Sequence, residues 1–126
     1  MADILIVEDD ATTRAALLLL FLSDGRAADA VSDGRAALDY LRGRPAPRLI
    51  LLDLLMPVMD GWQFLTELQG DAALAAVPVV VFTAAAGYDG TMLRGLGAAD
   101  VVRKPADQAE LLDVARRYCP AGAAKA

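Results

Sequence analysis

Three runs along the chain are apolar without alternation: Ile4-Leu5-Ile6-Val7, Leu49-Ile50-Leu51-Leu52, and residues 78–82. Each stops at a polar residue, respectively Glu8, Asp53 and Thr83. Unbroken apolarity over so few residues marks a strand covered on both faces. Two weaker runs, 27–31 and 101–102, bring the strand candidates to five, and Lys104-Pro105 closes the last of them. Helical periodicity fills the gaps. Residues 13–22 are dense in Ala and Leu, so much of that helix surface is expected to be covered, and Ser23-Asp24-Gly25 ends it. After Ser32-Asp33-Gly34, the positions Ala36, Ala37, Tyr40 and Leu41 form one apolar stripe. Met59-Asp60-Gly61 opens a helix carrying Trp62, Phe64, Leu65 and Leu68, with Asp60 read as its cap. A Gly-interrupted helix covers 89–96, and a final one covers 107–118, capped by Asp107 and followed by Pro120. Strands alternating with helices in crossovers of about 10 to 15 residues predict a parallel sheet with helices on both faces. The fold class is α/β, doubly wound, in three layers.

Composition narrows the class. The chain has 126 residues and is 56% hydrophobic, enough for the full core of one domain. Cys119 is the sole cysteine, so no internal disulfide staples the fold. The longest apolar run, residues 15–22, is far shorter than the roughly 20 residues that cross a bilayer, and Met1-Ala2-Asp3 carries no basic segment. A cytoplasmic protein without membrane attachment is expected. The net charge of -5 argues against direct nucleic-acid binding, which needs a basic patch.

In an open parallel sheet, functional groups collect beyond the carboxyl ends of the strands, where strand order reverses. The residues falling there are Glu8, Asp9, Asp10, Asp53, Thr83 and Lys104. Taken singly, each has an ordinary reading as turn former, helix cap, strand residue or solvated lysine. Together, carboxylates so close repel one another and lose hydration unless a cation joins them. Oxygen-only donors without His favour a hard divalent ion, Mg2+ before Mn2+.

The motifs carrying these groups are Ile4-Leu5-Ile6-Val7-Glu8-Asp9-Asp10, Leu51-Leu52-Asp53-Leu54-Leu55-Met56-Pro57-Val58-Met59-Asp60-Gly61, Phe82-Thr83-Ala84 and Lys104-Pro105. In this order they resemble the bacterial two-component response-regulator receiver domain in its single-domain, chemotaxis-regulator-like form. The resemblance places the receiver at 1–120 and leaves 121–126 as a short flexible tail. It implies a flavodoxin-like (βα)5 fold with strand order 2-1-3-4-5. It further implies that Asp53 is the phosphoacceptor, and that Glu8, Asp9, Asp53 and the backbone carbonyl of Leu55 hold Mg2+. Thr83, the Ala84 amide and Lys104 would then receive the phosphoryl group. The implied partners are a histidine kinase or histidine phosphotransfer protein, then an effector protein or a second copy of the chain. Output would pass through the face formed by the fourth helix, fifth strand and fifth helix. Such a protein catalyses its own phosphorylation and slow dephosphorylation and acts mainly as a signal carrier.

The chain departs from the family at several positions. Val101 stands where the family has the aromatic ring of its switch, and Ala106 stands where it has Phe. The interval from Thr83 to Lys104 is one residue short and contains Gly87, Gly90, Gly95 and Gly97, so a short, irregular fourth helix is expected. Tyr88 is the candidate substitute aromatic in the switch region, with a surface or core packing role as its ordinary reading. Leu55 and Ala85, two residues beyond the acceptor and the threonine, cannot orient hydrolytic water, which predicts slow loss of the phosphoryl group. Other readings are a receiver that binds partners without phosphorylation and a receiver excised from a larger kinase or regulator. A phosphatase-type hydrolase would need a second acid where Leu55 stands, and a flavodoxin-like nucleotide binder would need a Gly-rich loop after the first strand.

Overall fold

The computed structural model describes residues 2–56, 58–85 and 90–119. Five strands and five helices alternate: β1 Ile4–Val7, α1 Ala11–Ser23, β2 Ala28–Val31, α2 Gly34–Arg42, β3 Leu49–Leu52, α3 Gly61–Gln69, β4 Val79–Thr83, α4 Gly90–Gly95, β5 Asp100–Arg103 and α5 Gln108–Tyr118. All strand pairs are parallel, in the order β2-β1-β3-β4-β5. The expected doubly wound α/β fold and its strand order are both present.

Period-two geometry explains why the central strands show no hydropathy alternation. Successive side chains point to opposite faces, and both faces are cores. Leu5 and Val7, Ile50 and Leu52, and Val79 and Val81 pack on one side with Phe64, Leu65 and Leu68 of α3 and Leu38 of α2. Ile4 and Ile6, Leu49 and Leu51, and Val80 and Phe82 pack on the other with Phe21 of α1 and Leu111 and Val114 of α5. Burying each Leu or Ile contributes about 2 kcal/mol, so neither core tolerates a polar residue in these runs.

Helix phase differs in places from the sequence expectation. On α2 the buried residues are Gly34, Ala37, Leu38 and Leu41. Tyr40 packs partly buried against the same core, and its phenol donates to Asp29 on the β2 edge at 2.5 Å. α1 is less covered than its composition suggests, because Leu17 and Phe21 are buried while Leu19 is 67% exposed. α4 is short, as its glycines predict, with Leu93 buried. Tyr88 and Gly87 lie outside the described residues. Among the described residues no helix is long and apolar enough to cross a membrane.

The loop between β3 and α3 holds two local constraints. Asp60 caps α3 through a reciprocal box, accepting the Gln63 amide at 2.9 Å while Gln63 Oε1 accepts the Asp60 amide at 3.1 Å. Asp60 is therefore a cap, as its position before a helix suggested. Val58, 80% exposed, has φ 67, a left-handed conformation that costs a β-branched side chain about 1–2 kcal/mol. Val58→Asn is expected to stabilise the fold by about 1 kcal/mol, seen as a higher urea midpoint. An unchanged or lower midpoint would contradict this reading of the loop.

Candidate functional site

Register builds the site. Val7 pairs with Leu52 across β1 and β3, and the Asp53 amide donates to the Val7 carbonyl at 3.0 Å. Glu8 and Asp53 therefore leave two adjacent strands at the same level, where β1 lies between β2 and β3 and the chain's winding reverses. On the other flank, β4 ends at Thr83, whose carbonyl accepts the Lys104 amide at 3.0 Å. That bond brings Lys104 to the same edge.

Glu8, Asp9 and Asp53 each offer a carboxylate oxygen within 4.8 Å of the others. Glu8 and Asp53 are buried and Asp9 is exposed. Lys104 Nζ donates to Glu8 Oε1 at 2.5 Å and lies 3.5 Å from Asp53 Oδ2. It also sits 5.2 Å from the centre of the Phe82 ring. Burial pushes the Glu8 carboxyl up to about 7, against the lowering effect of the Lys104 bond and the Asp10 amide and with help from the Asp53 charge. At Lys104 burial acts downward, but the bond to Glu8 and the charges of Asp53 and Glu8 outweigh it, so the ammonium is held above its ordinary range. One cation thus faces two buried acids and neutralises them incompletely. This donor set, oxygen-rich and short of positive charge, fits a hard divalent ion.

The surrounding expected residues are placed as follows. Asp10 is not in the cluster. Its carboxylate caps α1 by accepting the Thr13 amide and hydroxyl at 2.8 and 2.6 Å, and its pKa is lowered by those bonds. Thr83 is fully buried, with its hydroxyl accepting the Ala85 amide at 3.1 Å, and Ala84 is exposed at the rim. The Leu55 amide donates to Asp53 Oδ1 at 3.4 Å, and its side chain is exposed. Val101 pairs with Val81 and packs against the α3 side of the core, with no aromatic bulk to relocate.

Two arginines near this edge escaped sequence reasoning. Arg14 donates to the carbonyls of Glu8 and Asp9, and Arg103 donates to the carbonyl of Ala85 at 3.2 Å. The signal for Arg14 was available, since it is the single charge in the helix that follows the acids. Nothing along the chain distinguishes Arg103 from an exposed strand-end arginine.

Comparison with known proteins adds three findings. The family model for the response regulator receiver domain matches residues 4–116. The transcriptional regulatory protein HprR of Escherichia coli is 40% identical over 111 residues, covering 86% of this chain and 48% of HprR. The chain likewise spans about half the length of several other curated relatives. Among solved structures, the receiver domain of a signal transduction histidine kinase from Syntrophus aciditrophicus matches at 31% identity with TM-score 0.82, covering 100% of this chain and 95% of that one. The receiver domain of a sensor histidine kinase from Pseudomonas aeruginosa, which has a magnesium ion coordinated in its active-site cleft, matches at 28% identity and TM-score 0.82, with coverage of 93% and 96%.

Proposed function

Because the chain belongs to the response-regulator receiver family, we propose that Asp53 accepts a phosphoryl group from a histidine kinase or histidine phosphotransfer protein and that the modified domain signals to a protein partner. The observation that carries this reading is the meeting of Glu8, Asp9 and Asp53 within 4.8 Å on the edge that also holds Lys104. Glu8, Asp9, Asp53 and the Leu55 carbonyl would hold Mg2+, with Mn2+ as a substitute. When bound, the ion supplies positive charge to the phosphoryl oxygens.

The residues divide the work. A carboxylate oxygen of Asp53 forms the O–P bond as the donor's bond to phosphorus breaks, leaving an acyl phosphate. Lys104, already between Glu8 and Asp53, is within reach of the incoming charge. The Thr83 hydroxyl accepts from Ala85 in this state, and rotating to donate to a phosphoryl oxygen would release the Ala85 amide. The Ala84 amide at the rim supplies a second donor. With Val101 unable to act as a ring switch, the response runs through residues 83–85 and Arg103, which grips the Ala85 carbonyl from β5, toward the α4, β5 and α5 face.

Incubation with Mg2+ and acetyl phosphate or phosphoramidate is expected to add about 80 Da to the intact protein, with no gain in EDTA. Folded protein that stays unmodified with excess donor would favour a receiver that binds partners without phosphorylation. Neither Leu55 nor Ala85 offers a polar side-chain atom to a hydrolytic water, so the adduct is expected to persist well beyond seconds.

A further inference from the structure

α1 has the sequence ATTRAALLLLFLS, in which Arg14 is the one charged residue. It stands near the helix start, where the macrodipole disfavours a cation. A charge in an unfavourable place needs a compensating contact, and the contact is specific. Arg14 Nη1 turns back past the Asp10 cap and donates to the Glu8 carbonyl at 3.0 Å and to the Asp9 carbonyl at 3.2 Å. These are the two consecutive residues whose carboxylates join Asp53 in the acidic cluster.

Glu8 has other restraints: its amide donates to the Val31 carbonyl at 3.1 Å, its Oε2 accepts the Asp10 amide at 3.2 Å, and its Oε1 accepts Lys104 Nζ at 2.5 Å. Asp9 is exposed and lies beyond the end of β1, so the sheet does not fix it. Its carbonyl accepts a hydrogen bond from Arg14. Groups that fix a ligand's backbone without touching the ion control how well the ligand is presented. We propose that Arg14 is a positioning residue of the acidic pair: by clamping both carbonyls it fixes the backbone from which the Glu8 and Asp9 carboxylates approach Asp53, and so sets the affinity of the cluster for a divalent cation. The proposal rests on the receiver reading in one respect, that the cluster takes such an ion.

Charge and geometry make opposite demands here, which gives the test its sign. The guanidinium repels a nearby divalent ion, so if charge were its main effect, Arg14→Ala would bind Mg2+ more tightly. If clamping dominates, the same variant binds about tenfold more weakly. Arg14→Ala keeps the fold, because the side chain is outside both cores and Ala is the best helix former. Melting in EDTA verifies this.

The experiment is a calorimetric titration of wild type, Arg14→Ala and Arg14→Lys with MgCl2 at constant ionic strength. Arg14→Lys, with the charge and a donor on a shorter reach, is expected to recover part of the affinity lost in Arg14→Ala. At saturating Mg2+ the phosphorylation rate of Arg14→Ala returns toward wild type. Unchanged or tighter Mg2+ binding by Arg14→Ala overturns the proposal. Wild type that does not bind millimolar Mg2+ would overturn the cation-site reading beneath it, a distinguishable failure.

Discussion

Lys104→Met, studied in EDTA, is expected to be close to wild type in stability near pH 5 and about 2 kcal/mol less stable near pH 8. The sign follows from Glu8. Its carboxyl is raised from the ordinary 4.5 to about 7, chiefly by burial, while the Lys104 hydrogen bond is the largest influence holding it down. Removing the ammonium raises it further. A carboxyl whose pKa is higher in the folded state contributes stability that is complete below the unfolded value and is lost as pH rises through the folded one. The variant therefore loses ground as Glu8 is forced to ionise opposite Asp53 without a counter-ion. Lys104 itself stays charged throughout this window, since its own pKa lies above the ordinary lysine value. Urea midpoints at several pH values measure the effect, and a deficit that shrinks with rising pH would contradict it. The same variant is expected to retain some phosphorylation while losing the conformational response, because the ammonium links the end of β5 to Asp53. Hydrogen exchange of β5 and α5, with and without phosphoryl donor, separates the two.

Among the described glycines, Gly61→Ala is expected to be strongly damaging, because the added methyl group meets backbone. Gly61 opens α3 directly against the end of β3, where its amide donates to the Leu54 carbonyl at 2.9 Å. A Cβ there would lie 2.6 Å from the Leu54 Cα and 2.7 Å from the Asp53 carbonyl oxygen. Both are backbone atoms, so rotamer changes give no relief, and either α3 or the Asp53 peptide has to move. A cost of about 3 kcal/mol is expected, measured by urea unfolding. Because the Asp53 peptide is one of the two clashing partners, phosphorylation should also fall in whatever fraction stays folded. A stable variant with normal phosphorylation would mean that this approach is looser than the structure shows.

These cases mark how far the chain could be read in one dimension. β1, β3 and β4 were legible because burial on both faces leaves an unbroken apolar run, and Glu8, Asp53 and Thr83 were legible because each interrupts one at its carboxyl end. Asp10 and Asp60 each stand just ahead of a helix, and both prove to be caps that accept the Thr13 and Gln63 amides. The contact from Lys104 to Glu8 joins residues 96 apart, and only strand order makes them neighbours. The Arg14 clamp depends on a side chain folding back over its own helix start, which periodicity does not describe. The α2 stripe was read without Leu38, which is fully buried beside Ala37 and Leu41, while Tyr40 packs partly buried on the same core and keeps its hydroxyl on Asp29. The open flank of α1 at Leu19 shows the reverse limit, since apolar composition does not guarantee a covering element.

Everything proposed for this domain depends on Asp53 carrying the phosphoryl group. Intact mass of wild type and Asp53→Asn, treated side by side with Mg2+ and phosphoramidate, tests it most directly. A gain of about 80 Da is expected on wild type and none on Asp53→Asn. An equal gain on both proteins would contradict it.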